Sequence, residues 1–326
     1  MSDIPDPIRQ DASCATGKAR ATGSASVLPY DGTSEHRQSQ WHSTRRHFLQ
    51  WTGAAAASLA ATTPGLVRAA APAEPSPPDR PARGQSLKLG VASYTFRKFK
   101  LDKVLAMTKR AGLKYICLKS FHLPLDAKPD EIADVVKKVA DAGLVLYGGG
   151  VIAMTTEAQV SQAFDYAKAA GMKVIVAGPT EAMLPRIEQK IKEYDIAVAI
   201  HNHGPGDKHF PTPEIAYGKV KNLDRRFGLC IDIGHTVRIG ADLVASTEKY
   251  ADRIFDIHMK DVTEATPKGR CIQCGRGVID LPGFLRALVK AKYAGVVSYE
   301  YEIDDDDPLP GLAECVGYTK GVLAVI

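Results

Sequence analysis

The chain has 326 residues, 45% hydrophobic and 24% charged, with a formal charge of +5. That composition fits a globular protein whose core is large enough for one big domain or two small ones. Residues 1–69 hold 7 Lys/Arg and 5 Asp/Glu, which leaves +3 on the remainder. So even a balance excludes an argument for nucleic-acid binding.

In chain order, the first informative segment is Thr44-Arg45-Arg46-His47-Phe48-Leu49-Gln50, which resembles the twin-arginine export motif. An apolar stretch follows from Trp51 to Ala61, then small residues at Ala69-Ala70-Ala71 where cleavage is expected. The apolar run is too short for a permanent membrane span. Residues 1–71 therefore read as a leader and twin-arginine signal, and the mature protein as periplasmic or secreted. Residues 72–86 are rich in Pro, Ala and charge and read as a linker without a core.

From Leu87 to Ile326 short β-rich runs alternate with amphipathic helical stretches. Strands are expected near 88–93, 114–118, 144–148, 173–177, 196–201, 227–232, 253–259 and 295–301. Helices are expected near 101–111, 129–142, 157–170, 181–193, 213–222, 240–251, 281–292 and 311–324. Pro129 with Asp130 and Glu131 suits a helix start, and Gly112, Gly143 and Gly171 stand where left-handed helix caps occur. Eight strand–helix units predict an α/β fold, a single (β/α)8 TIM barrel. An open doubly wound sheet would need one ligand crevice at a switch point, not polar tips on most strands.

Polar groups recur at those tips. Side chains at i and i+2 share a strand face, so His201 and His203 belong together, as do His258 and Lys260, and Glu300 and Glu302. His201, Asp232, His258 and Glu300 lie on the fifth to eighth strands and are the expected metal ligands. Two imidazoles with two carboxylates suit Mn, Co, Fe or Zn better than Mg. A single strand-end His is usually a hydrogen-bonded structural group. Four such tips on consecutive strands are costly as unpaired buried charge.

Glu302, His203, Lys119 and His122 are further ionisable groups at or just beyond the strand tips. His235 is expected to bind substrate, while Lys208, Arg238, Lys260 and Arg276 add positive charge near the mouth, to clamp a phosphate or carboxylate of the substrate or to neutralise the acidic tips. Lys119 offers a Schiff base or an enolate contact, or simply a hydrogen bond to a substrate hydroxyl or an ion pair with Glu302. Gly148-Gly149-Gly150 would let backbone approach a ligand closely, though no phosphate-loop Lys follows. Asp304–Asp307 reads as a solvated loop. Cys117 and Cys230 read as core residues, and Cys14 lies in the leader. Cys271 and Cys274 leave three readings open: a local disulfide, two thiols, or a metal or redox pair.

Residues 87–326 resemble the xylose isomerase-like barrels, a family of sugar phosphate isomerases and epimerases with dehydratase relatives. The likeness rests on Asp232-Ile233-Gly234-His235, His258-Met259-Lys260-Asp261, the turn from Gly275 to Asp280, and Glu300. It implies a metal held by Glu, Asp, His and Glu from strands five to eight. This chain departs at the first ligand: His201-Asn202-His203-Gly204 stands where the family usually has Glu-Asn-His-Gly. The two-carboxylate epimerase mechanism thereby loses one member.

The resemblance implies a metal-dependent sugar isomerase or epimerase that abstracts a proton alpha to a carbonyl, and with the first carboxylate lost the expected catalytic groups for that step are Glu302, His203, Lys119 and His122. Elimination, as a 3-keto-glycoside lyase or dehydratase, is one alternative. A non-catalytic periplasmic carbohydrate binder is another. A DNA-repair enzyme on the same scaffold needs three zinc ions and further ligands, and export separates it from DNA. The expected partners are a sugar or keto-sugar, the twin-arginine export machinery and, in a homo-oligomer, a second copy of the chain.

Overall fold

The computed structural model describes residues 87–326, so the twin-arginine motif, the leader, Cys14 and the linker lie outside the described residues. The elements are β1 (Lys88–Ala92), α1 (Leu101–Arg110), β2 (Tyr115–Leu118), α2 (Pro129–Asp141), β3 (Val145–Met154), α3 (Glu157–Ala169), β4 (Val174–Pro179) and α4 (Leu184–Tyr194). They continue with β5 (Ala197–His201), α5 (Pro213–Val220), β6 (Phe227–Asp232), α6 (Ile233–Arg238), α7 (Leu243–Tyr250) and β7 (Ile254–Met259). The last are β8 (Asp261–Val262), β9 (Cys271–Ile272), α8 (Leu281–Lys290), β10 (Val296–Tyr299) and α9 (Leu309–Leu323). Eight parallel strands close in the order β1-β10-β7-β6-β5-β4-β3-β2, which is the (β/α)8 barrel that the alternation predicts.

Local chemistry sets the element ends. Pro129 occupies the first turn of α2, and Glu131 reaches back to accept from Lys128 N at 2.7 Å. Gly112, Gly143 and Gly171 follow α1, α2 and α3 with φ of 73°, 76° and 67°, the left-handed conformation that ends a helix at least cost with glycine.

The main apolar layer packs helices onto the outer face of the sheet, with Phe164, Ile187, Phe227, Phe284 and Leu312 all buried. Each such side chain contributes about 1.5–3 kcal/mol. A smaller cluster, with Cys117, Tyr147, Val176, Ala199 and Cys230, packs separately from this layer. Cys117 and Cys230 are thus core residues.

Some elements depart from the periodicity. β3 runs ten residues rather than five, because Gly148, Gly149 and Gly150 continue it. A Cβ on Gly150 would meet Val176 O at 2.2 Å. At Gly148 and Gly150 the missing side chain lets β3 approach β4, while Gly149 makes room for Met172 and Tyr166. The short α6 and the β8–β9 hairpin are too brief to leave a periodic trace in the sequence. Among the described residues no helix is long and apolar enough to cross a membrane.

Candidate metal centre

Four strand tips converge on one point. His201 ends β5 and Asp232 ends β6, while His258 lies in β7 and Glu300 directly follows β10. Ladder register brings them level: Asp232 pairs with His258, and Ser298, two residues before Glu300, pairs with His258 on its other side. One ligand atom from each of the four lies within 4.8 Å of all the others. His201 Nε2 and His258 Nδ1 stand 3.0 Å apart. Glu300 Oε2 is 3.1 Å from His258 Nδ1, and Asp232 Oδ2 is 3.4 Å from His201 Nε2.

These spacings fit a cation. Donors about 2.1 Å from one ion stand about 3.0–3.4 Å from their neighbours. All four residues are buried, with Asp232 and His258 at 0% exposure. Asp232 divides its carboxylate between two tasks. Oδ1 accepts from His235 N at 2.8 Å and caps α6. Oδ2 is buried and faces the cage, with Lys260 Nζ 2.9 Å away as its ion-pair partner. Asn202 locks the pair of strands by accepting from Asp232 N at 3.1 Å and donating to Thr236 Oγ1 at 3.2 Å.

The electrostatics favour charge separation within the cage. Burial pushes the Asp232 carboxyl up, but Lys260 and then His235 outweigh it and hold it well below the usual range. Burial also opposes ionisation of Glu300, and His258 and Lys260 overcome it. His201 is held well below the usual imidazole range by burial and by His203 beside it. Burial lowers His258 as well, yet the Glu300 carboxylate reverses the direction and raises it.

Lys260 belongs to this centre more closely than its expected place at the mouth. Its Nζ is 2.9 Å from Asp232 Oδ2 and 2.9 Å from Glu300 Oε2, and it also pairs with Glu302. It is a buried ammonium among three carboxylates. Glu302 accordingly faces the centre, with Cys271 Sγ 3.9 Å from its Oε1.

The remaining expected residues separate into two groups. His203 is partly exposed, pairs with Asp207 at 3.4 Å, and its ring lies tilted against that of His201 with 4.4 Å between centroids. It lines a cavity of about 450 Å³ together with His201, Asp207 and Lys208. His235 stands 6.0 Å from the His201 ring, and buried Arg238 contacts its Nδ1 at 3.4 Å and donates to Pro267 O. Lys119 is buried, donates to Val151 O at 3.3 Å and lies over the Tyr94 ring.

Two expectations need correction. His122 has both ring nitrogens engaged, Nδ1 with Ser93 Oγ at 2.8 Å and Nε2 with Phe99 O at 3.0 Å. The Phe99 carbonyl can only accept, so Nε2–H donates to it, and the remaining Nδ1 accepts from the Ser93 hydroxyl, which itself accepts from Lys119 N. This histidine ties the turn after β1 to the end of β2 and has no nitrogen left for a substrate proton. Arg276 is exposed and forms a two-pronged ion pair with Glu314 on α9. It faces the C-terminal helix, not the mouth.

Cys271 and Cys274 are not disulfide-bonded. Cys274 instead packs against Cys315, whose Sγ accepts from Cys274 N at 3.1 Å. Asp305 and Asp306 pair with Lys98, and Asp305 also with Arg97, as a surface loop does.

Three neighbours escaped the sequence reading. Tyr94, on the turn after β1, has its hydroxyl raised by burial and then by Glu302. Asp256 lies beneath His258, fully buried, and burial pushes its carboxyl up to about 7. Tyr147 on β3 donates to Asp256 at 3.0 Å. Asp256 was discoverable, since it precedes His258 by two on one strand face. Tyr94 and Tyr147 carry no such signal.

A family model for the xylose isomerase-like TIM barrel matches residues 84–320. The chain belongs to that family. It is 28% identical over 142 residues to the rhizopine catabolism protein MocC of Rhizobium meliloti, a match that covers 39% of this chain and 43% of that protein. The chain thus spans less than half the length of this curated relative. Among solved structures, the IolI protein with a bound zinc atom superposes with a TM-score of 0.63 at 19% identity, covering 73% of this chain and 98% of that one. The 3-keto-D-glucoside 4-epimerase YcjR of E. coli gives 0.60 at 16% identity, covering 72% and 100%. At these identities the structures establish the shared fold alone.

Proposed function

We propose that this chain is a divalent-metal-dependent enzyme of the sugar isomerase and epimerase type, acting by proton abstraction alpha to a carbonyl. The observation that carries the reading is the cage of His201, Asp232, His258 and Glu300, whose four donor atoms face one point at ion-ligand spacing. Its donors suit Mn, Co, Fe or Zn. A bound cation there supplies Lewis-acid polarisation of a carbonyl and compensates the negative charge that develops on proton loss. The zinc atom named with IolI supports the same assignment by analogy.

The chain's own residues divide the remaining work. Glu302 takes the alpha proton, and its ion pair with Lys260 holds it in place. Lys119, beyond the end of β2, hydrogen-bonds a sugar oxygen. His203, oriented by Asp207, stands in the adjoining cavity, where it exchanges protons with a substrate hydroxyl. Lys208 and His235 contribute further polar contacts around it.

One observation favours elimination as the second reading. The fifth-strand ligand is an imidazole, so a symmetric pair of carboxylate bases is missing. A single base at Glu302 suffices for loss of a beta substituent, as in breakdown of a 3-keto-glycoside, whereas inversion at one carbon needs a partner on the opposite face. The twin-arginine motif supports export of the folded enzyme, and with it free sugars or glycosides as substrates.

The test begins with elemental analysis of the purified protein. Wild type should hold close to one equivalent of transition metal, and Asp232→Ala and His258→Ala should each lose it. Full occupancy in both variants would reject the ligand assignment. A deuterium-exchange screen against aldoses, ketoses and 3-keto-glucosides should then reveal exchange at one carbon. Metal-loaded protein that binds these sugars without exchange would instead be a carbohydrate binder.

A further inference from the structure

The role proposed for the cage leaves one buried charged group beneath it without a function. Asp256 precedes His258 by two residues on β7, so both side chains point to the same face of the strand. It is 0% exposed. A buried carboxylate is costly unless something nearby uses it. Tyr147 OH donates to Oδ1 at 3.0 Å. Oδ2 is turned the other way, 3.8 Å from His258 Nε2 and 3.9 Å from Cys230 Sγ.

His258 presents the complementary need. Its Nδ1 faces the cage, 3.0 Å from His201 Nε2 and 3.1 Å from Glu300 Oε2. Its Nε2 is buried and has no hydrogen-bond partner among the described residues. A ring that gives its Nδ1 lone pair to a cation carries its proton on Nε2. Ligating histidines characteristically direct that second N–H at a carboxylate, which fixes tautomer and ring orientation. The simpler alternative is a polar plug satisfied by Tyr147 alone. That account explains Oδ1, and the Cys230 thiol donates only weakly to Oδ2 from 3.9 Å, but the buried Nε2 facing Oδ2 stays unexplained.

We infer that Asp256 is the positioning residue for His258. Its Oδ2 selects the Nε2–H tautomer and aims Nδ1 into the cage, while Tyr147 fixes the carboxylate through its other oxygen. The inference rests on the metal-centre reading above. Tyr147, Asp256 and His258 then form one line from β3 to the cation site.

Cobalt(II) is the probe. Wild type, Asp256→Asn and Tyr147→Phe are loaded with Co(II), titrated with a competing chelator, and compared by visible absorption and by the 15N shifts of His258. Asp256→Asn should weaken cobalt binding about 10–100-fold, alter the cobalt bands and reduce the Nε2–H character of His258. Tyr147→Phe should do the same to a smaller degree. A packing role alone would lower the melting temperature of metal-free protein and leave affinity and spectra unchanged, and that result overturns the inference. If Asp256→Asn does not fold, Tyr147→Phe decides: wild-type affinity together with wild-type 15N shifts overturns it. Failure of the wild-type protein to bind Co(II) at all is a separate outcome, which rejects the metal centre itself.

Discussion

Replacing Lys260 by Met tests how the centre balances its charge. The ammonium is 4% exposed and sits 2.9 Å from Asp232 Oδ2 and from Glu300 Oε2, with Glu302 as a third partner. Burial alone would depress its pKa, but Asp232, Glu300 and Glu302 outweigh that and hold it well above the usual lysine range. Methionine keeps most of the volume and removes the charge. Deleting one partner of a buried ion pair costs about 3–5 kcal/mol, because the other partners stay buried and uncompensated. In a domain of this size 1 kcal/mol moves the melting temperature by about 2–4 °C. The metal-free variant should therefore melt about 6–20 °C below wild type in excess chelator. With Co(II) present the gap should narrow, since Asp232 and Glu300 regain a positive neighbour and a competing cation is gone. The same change should tighten cobalt binding. Differential scanning fluorimetry with and without the metal reads both effects. Equal melting temperatures in chelator, or weaker cobalt binding in the variant, would refute the account of Lys260 as the cage's internal counter-ion.

Two further outcomes follow from the same structure. Glu302→Gln and Lys119→Met should retain metal but lose turnover, by roughly 10²–10⁴-fold for the proton-abstracting Glu302; isotope exchange at wild-type rates in both would remove them from the chemistry. Away from the site, the two-pronged hydrogen bond from Arg226 holds Asp224 at about 2, below its ordinary 3.8. A depressed carboxylate pKa stabilises the fold above pH 3.8, and that contribution vanishes as pH falls through 2. Because Arg226 is partly exposed, Asp224→Asn should cost about 1 kcal/mol at neutral pH. In urea titrations the difference should disappear near pH 2. A difference independent of pH would show that packing, not ionisation, was lost.

What the sequence alone determined was the periodic part of this protein. Alternating strand and helix patterns name the barrel, and a strand's two-residue repeat places His201, Asp232, His258 and Glu300 at tips on one rim. Both are properties of neighbours within a few residues, so they survive without coordinates. The tertiary structure decided where each polar side chain finds its partner. His122 looked free for chemistry until the turn after β1 brought Ser93 and Phe99 to its two nitrogens. Arg276 turns toward Glu314, 38 positions away, because α9 packs beside its loop. Lys260 could equally clamp a substrate or neutralise the acidic tips, and ring closure sets it between carboxylates from two distant segments. Such pairings depend on ladder register and on which loop folds over which helix, and no local pattern of residues encodes either.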